Sequence, residues 1–316
     1  MAQILIFVNN CGQCKQIVYN SKQLFTKELD QGMNTRVIAV ADNKGGVGKT
    51  TTAAVLADGL ARMCRKYKNG ANVLVVDLDP QGNQADMFGV RADVQAEELC
   101  VGNVLLEPEN VGLLQDNIIS VDRAEEGLPR PNLYLLPASR NLEDVTQDLV
   151  IMTTMRTARR SGFDLDTILA DALAPLLDHF DFIIIDCPPK LDTLKRAVYN
   201  FADEVIVPVK TDHVSLVGAR QHTDDLYNLQ QENPRKFKAR VSLVIPTMLP
   251  ARQVLAMQVV ERMKSFYGRD LVSEPVPESV YVKEAPAAGG KTLFEYAPAS
   301  APARVYASIV ERVFNG

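Results

Sequence analysis

Nine consecutive residues, Asn43-Lys44-Gly45-Gly46-Val47-Gly48-Lys49-Thr50-Thr51, combine glycines, two lysines and two hydroxyls in one short stretch. Glycines let a backbone curl until its N–H groups point at one anion, and a helix N-terminus just beyond adds a favourable dipole. The ending Gly48-Lys49-Thr50 fits the phosphate-loop pattern G-x-x-x-x-G-K-[ST], which requires a strand before it and a helix after it. In that chemistry Lys49 would neutralise β/γ-phosphate charge and the Thr50 hydroxyl would hold Mg²⁺. The first glycine of the pattern falls on Asn43, and an additional lysine, Lys44, stands beside it. A solvated loop lysine is the plain alternative for Lys44.

Two more segments end in carboxylates. Residues 72–77 (NVLVVD) run into Asp77-Leu78-Asp79-Pro80-Gln81-Gly82-Asn83, and residues 182–186 (FIIID) into Cys187-Pro188-Pro189. A carboxylate at the C-terminal end of a parallel strand points into the crevice where ligands bind. Residues 77 and 79 face the same side if the strand continues. Any one of these aspartates alone reads as a turn or helix cap. With the lysine loop, in this order on three strands, they read as a phosphate–Mg²⁺ site.

The elements that must position these groups alternate along the chain. Apolar β-branched runs at 37–41, 72–77, 182–186, 204–209 and 241–245 read as strands buried on both faces. Helical stretches are expected at 49–65, 164–179, 214–231, 251–267 and 301–314. This alternation predicts an α/β fold, a doubly wound, mostly parallel sheet with helices on both faces. The middle, 91–161, yields only two short strands, near 117–121 and 132–136. The Pro- and Ala-rich 285–303 reads as a packed irregular segment.

Composition narrows the class. With 316 residues, 47% hydrophobic and 23% charged, the chain can bury a core and is not disordered throughout. No run of 18 apolar residues occurs, so no transmembrane helix is expected. Residues 1–10 lack the basic start and cleavage site of a secretory leader. Five cysteines do not make a disulfide framework, so a reducing cytoplasmic setting is expected. A net charge of −5 means that any contact with nucleic acid needs a local basic patch.

The lysine-flanked loop resembles KGGxGK[ST], the deviant Walker A motif of one group of P-loop NTPases. That group includes the ParA/Soj partition ATPases, the MinD division-site ATPases, the nitrogenase iron protein and ArsA. Residues 77–83 match its D-x-D-P-Q-G-N motif, and 186–189 resemble its Walker B motif D-x-P-P. Val207-Pro208-Val209-Lys210-Thr211 and the stretch from Val276-Pro277 to Glu284-Ala285-Pro286 point to the ParA/Soj family within the group. The resemblance covers about 36–314.

It implies that Lys44, Gly45, Gly46, Val47, Gly48, Lys49, Thr50 and Thr51 bind ATP. Lys44 would cross a dimer interface to the partner's phosphates. Thr50, Asp77 and Asp186 would serve Mg²⁺, Asp79 would orient the attacking water, and base and ribose contacts would come from Thr247, Met248, Val276 and Pro277. It further implies an ATP-dependent homodimer on non-specific double-stranded DNA and a nucleoid-associated location. Slow ATP hydrolysis would be stimulated by a ParB-like centromere-binding or adaptor protein, with a plasmid or chromosome as cargo. A ParA-like positioning ATPase for a protein cargo and a MinD-like membrane-surface regulator are the alternatives. The last helix, with apolar positions 305, 306, 309, 310 and 313, reads as a core-packing face, so no stable membrane association is expected.

For DNA, the densest basic stretch is Arg235-Lys236-Phe237-Lys238-Ala239-Arg240, and Arg252 matches a DNA-contacting arginine of the family. Arg156, Arg159 and Arg160 are weaker candidates. A second family arginine is replaced here by Leu229. Residues 36–316 are expected to form the ATPase domain, and 1–35 a short extension. That extension carries Cys11 and Cys14 but is too short for a thioredoxin-like or helix-turn-helix domain.

Overall fold

Continuous apolar runs can be buried on both sides only if helices cover both faces of the sheet they form. The computed structural model describes residues 35–68, 71–155, 163–189 and 193–316. Cys11, Cys14 and the rest of the extension before Thr35, and Arg156, Arg159 and Arg160, lie outside the described residues.

The strands are β1 Arg36–Val40, β2 Val73–Asp77, β3 Ile119–Ser120, β4 Leu133–Leu136, β5 Phe182–Asp186, β6 Glu204–Lys210 and β7 Arg240–Thr247. Among the described residues they form one seven-stranded sheet in the order β3-β4-β2-β5-β1-β6-β7. Every pairing is parallel except that of β3 with β4. Alternation along each strand divides the core. Val37, Ala39, Leu74, Val76, Ile183 and Ile185 face one apolar layer. Ile38, Val40, Val73, Val75, Phe182 and Ile184 face the other.

Helices fill both layers: α1 Lys49–Tyr67, α2 Asn83–Phe88, α3 Arg91–Ala96, α4 Val101–Leu106, α5 Val111–Asp116, α6 Asn141–Thr154, α7 Ile168–Leu173, α8 Lys195–Phe201, α9 His213–Glu232, α10 Val254–Tyr267, α11 Val280–Ala287, α12 Leu293–Tyr296 and α13 Ala301–Asn315. The terminal helix buries Tyr306, Ile309, Val310 and Val313. It does so against α1, where a Cβ at Gly59 would lie 2.4 Å from a Val310 methyl. The apolar stripe of α13 is therefore core, as its composition predicts. Among the described residues no helix is long and apolar enough to cross a membrane.

Three expectations change. The helix expected over 164–179 is only α7 plus a 3₁₀ turn at Ala174–Leu176. Pro175 lacks the N–H needed to continue it. The segment 285–303 is not irregular: it contains the end of α11, with Pro286 near its last turn, and α12 behind a Thr292–Glu295 capping box. The middle section holds α3 to α6, where α3 and α5 each bury a single residue, Val94 and Leu114. One buried position in six residues leaves no periodicity to read.

The C-terminal segment is locked down by a buried guanidinium. Arg130 is fully buried and donates to Glu295 at 3.0 and 2.6 Å, to the Phe88 carbonyl at 2.9 Å and to the Gly290 carbonyl at 2.7 Å. Glu295 also accepts the Thr292 N–H, and the Thr292 hydroxyl donates to the buried Asp58 of α1. Removing one partner of such a pair strands a charge in the interior. Glu295→Ala is therefore expected to cost about 3–5 kcal/mol, read as a lower urea midpoint. A midpoint within error of the parent would show that the pair is dispensable.

Candidate active site

The C-terminal ends of β1, β2 and β5 meet at one point, because β5 lies between the other two in the sheet. From β1 the chain turns through Asp42-Asn43-Lys44 into the glycine loop and then α1. Gly46 and Gly48 have φ of 71° and 93°, left-handed values that only glycine adopts readily. Gly48 is the N-cap of α1, so the unpaired first-turn N–H groups open onto the loop. The loop's start is tied down by the Asp42 carboxylate, which accepts the Lys44 N–H at 2.9 Å. Lys49 is 6% exposed, and its Nζ donates to the Lys44 carbonyl at 2.8 Å. Burial lowers the Lys49 pKa from its ordinary value, opposed by Asp42 and Asp186. Burial also pushes Asp42 up to about 6.

Asp77 and Asp186 are register partners on adjacent strands, and both are buried. Asp77 accepts the N–H groups of Asp79 and Gln84 at 2.9 and 3.1 Å. The Gln84 side-chain amide donates to Asp186 at 2.9 Å and to the Thr50 carbonyl at 3.0 Å. The Thr50 side chain lies close enough to Asp186 to favour its charged form. Even so, Asp186 Oδ1 and Gln84 Oε1 are buried with no partner. Desolvation raises the pKa of both carboxyls, and for Asp77 the neighbouring Asp186 adds to it.

An orphaned anionic oxygen beside a second carboxylate is what a cation would satisfy, so these residues fit Mg²⁺. Among the described residues no three His, Cys, Asp or Glu side chains converge as a metal cage. That suits Mg²⁺, which takes one or two carboxylates and otherwise waters and substrate phosphates. Asp79 stands half-exposed at the mouth, where its carboxylate accepts the Gln81 N–H at 3.0 Å.

The four residues expected to hold base and ribose come together. Thr247 donates from its hydroxyl to the Val47 carbonyl at 2.8 Å, and Thr247 and Met248 flank Gly48. Met248 has φ of 53°, uncommon for a residue with a side chain and a strain of the kind that gathers at working sites. The Val276 N–H donates to the Pro246 carbonyl at 2.8 Å, and Leu249 bridges Pro277.

The basic candidates do not converge. Arg252 is exposed after the C-terminal end of β7, on the loop's side of the sheet. Arg240 begins β7, about 23 Å from Thr247 at the other end of the strand, seven steps on. Arg235, Lys238 and Arg240 are exposed at that far end, while Lys236 is committed to Asp164 and Asp166 at 2.6 and 2.8 Å.

Sequence reasoning missed Gln84, Asp42 and His222. Gln84 gave one signal, a glutamine one residue into the helix that follows the strand-end carboxylates. His222 interrupts the buried stripe Ser215, Ala219, Leu226 of α9, a polar side chain at an apolar spacing.

A family model described as an AAA domain matches residues 35–239. The sporulation initiation inhibitor protein Soj of Bacillus subtilis is 33% identical over 279 residues, 88% of this chain and 98% of that protein. The chromosome-partitioning ATPase Soj of Thermus thermophilus is 33% identical over 282 residues, 88% of this chain and 95% of that one. Among solved structures, the ATP complex of a Cyanothece McdA variant aligns with a TM-score of 0.70 at 22% identity, covering 90% of this chain and 98% of its own, a likeness of fold.

The carboxylate pair predicts an unusual pH dependence. Native carboxyls with raised pKa hold protons that the unfolded chain has released. Stability contributed this way is therefore present below about pH 4 and lost as pH climbs through about 7. Asp186→Asn, measured by urea unfolding without divalent cations, is expected to be more stable than the parent at pH 8, with the gain shrinking toward pH 4. Equal stability at pH 8 would rule out the repulsion.

Proposed function

The chain belongs to the ParA/Soj family of partition ATPases, and from that premise we propose that it is a nucleotide-gated dimer that binds DNA non-specifically in its ATP state. Residues 36–316 form the ATPase domain of this reading. The observation that carries it is Lys44. Among the described residues its ammonium has no ion-pair partner, and its side chain lies at the mouth, near Gly218 of α9. Around that mouth the first turns of α9 and α10 expose Val214, Val217, Val254 and Leu255, the last two 74% and 73% exposed. An apolar rim around an uncommitted cation suits a second copy of the chain, with each Lys44 reaching the other protomer's nucleotide. Lysine there does in trans what an arginine finger does, an effect of roughly 10³–10⁵ in rate.

Within one protomer the loop N–H groups and Lys49 bind the phosphates of ATP. Asp77, Asp186 and Thr50 would hold Mg²⁺, which would supply charge neutralisation for the phosphates. Asp79, at the mouth, orients the attacking water. Thr247, Met248, Val276 and Pro277 line the base and ribose. Catalysis of this kind is mostly positioning and charge stabilisation, so turnover stays slow until the second protomer and a ParB-like partner complete the site. The site is held at the cytoplasmic nucleoid by the DNA it binds. Arg252, exposed on the mouth's side, is the DNA contact this geometry favours. The Arg235–Arg240 cluster lies at the other end of the sheet and would serve only as a separate patch. The cargo is a plasmid or chromosome.

Lys44→Ala, Lys49→Ala and Asp79→Ala are each expected to abolish ATP hydrolysis, while Asp79→Ala still dimerises with ATP on size exclusion. Undiminished turnover in any one of them removes the role assigned to that residue. Binding to random-sequence duplex DNA is expected with ATP and not with ADP, to weaken steeply with salt as phosphate counterions are released, and to disappear in Arg252→Glu. Binding that ignores nucleotide would falsify the switch.

A further inference from the structure

Asn43 stands where the general phosphate-loop pattern has glycine, and the phosphate chemistry leaves it without a task. Its Oδ1 lies 3.1 Å from Nδ1 of His222, which is 1% exposed on the inner face of α9. The other ring nitrogen, Nε2, lies 3.0 Å from the hydroxyl of Tyr199, fully buried on α8. One proton arrangement satisfies all three groups. A neutral ring donates from Nδ1 to Asn43, and the Tyr199 hydroxyl donates to Nε2. Burial, reinforced by the charge of Lys195, pushes the His222 pKa down to about 3, so the ring stays neutral. Gly218 precedes His222 by one helical turn and shares its face. A Cβ at Gly218 would sit 4.0 Å from the Lys44 Cβ. The same strip of α9 thus touches both residues that precede Gly45, and Lys195–Asp225 at 2.6 Å bolts α8 to α9.

We propose that Asn43, His222 and Tyr199 form a positioning chain that fixes the start of the phosphate loop against α8 and α9 and so aims Lys44. The proposal rests on the reading of Lys44 as the group that acts on the partner protomer's nucleotide. Asp42 ties the Lys44 N–H from one side, and the Lys44 carbonyl is capped by Lys49. Neither contact controls rotation of the loop about its own axis. The Asn43–His222 bond supplies that control, from a side chain whose orientation is set in turn by Tyr199. A glycine at 43 would leave the loop's entry without a lateral tie.

The test compares Asn43→Ala, His222→Phe, the double variant and His222→Gln in the full chain. Each is measured for ATP turnover, for affinity toward a fluorescent ATP analogue, and for the His222 tautomer by imidazole nitrogen NMR. Each of the first two is expected to lower kcat about five- to tenfold, the scale of one lost hydrogen bond, with analogue affinity changed less than about twofold. The double variant should be no slower than the slower single, since both break one link. His222→Gln, which keeps a donor and an acceptor, should recover most of the rate. The parent should show a neutral Nδ1–H ring that Asn43→Ala perturbs. Additive losses, a His222→Gln protein as slow as His222→Phe, or a charged or Nε2–H ring in the parent would each overturn the proposal. Undiminished turnover in Lys44→Ala would instead overturn the reading on which it rests, and that single variant tells the two failures apart.

Discussion

Two carboxylates side by side in dry protein repel each other, and the mouth of this sheet is organised around that repulsion. Asp77 and Asp186 end adjacent strands in register, so neither can retreat without breaking the ladder that holds it. Gln84 and two backbone N–H groups offset part of the charge, and Lys49 lies close enough to offset more. One oxygen of Asp186 is still left over. Such a site is stabilised by whatever brings positive charge and released when that charge leaves. The strained Met248 belongs to the same pattern, because local strain persists only where the surrounding fold over-determines it.

The rest of the chain keeps those strand ends in place. The alternating strands feed two apolar layers, and α13 closes one of them over α1 at the distance only Gly59 permits. Arg130 then fastens the 290–295 segment to α2 through carbonyls and a paired carboxylate. The Val276–Pro277 strip, which borders the loop's neighbour Met248, is hydrogen-bonded to the end of β7 through Pro246 and Leu249. Arg235, Lys236 and Arg240 lie at the opposite end of the sheet, where β7 begins. There Lys236 is engaged in neutralising Asp164 and Asp166.

Much of this was legible beforehand because it is local. Gly48-Lys49-Thr50 can do little else after a buried strand, and Asp77 and Asp186 announce themselves as charges at the ends of apolar runs. The long helices α1, α9 and α10 show enough turns for their buried face to repeat, whereas α6, though 14 residues long, buries only Leu142, Val145 and Leu149 and gives too sparse a stripe to read. The six-residue helices of the middle section do not, and α11 and α12 hide behind prolines and alanines that mean irregular chain elsewhere. The strand β7 accepts Pro246 because it lies at the sheet's edge, a fact of strand order that no window of sequence contains.

Residue order alone dictates the phosphate loop, the strand-end carboxylates and the parallel α/β plan, since glycine freedom, strand period and apolar runs act over a few residues. Which distant groups share a site is a matter of packing. Packing put Thr247 on the loop's own carbonyl, seated His222 beneath Asn43 across 179 positions of chain, and moved Arg240 to the far end from Arg252. Those pairings depend on the order of strands in the sheet and the stagger of helices across it. Both are settled by how the two apolar layers pack, not by any spacing along the chain.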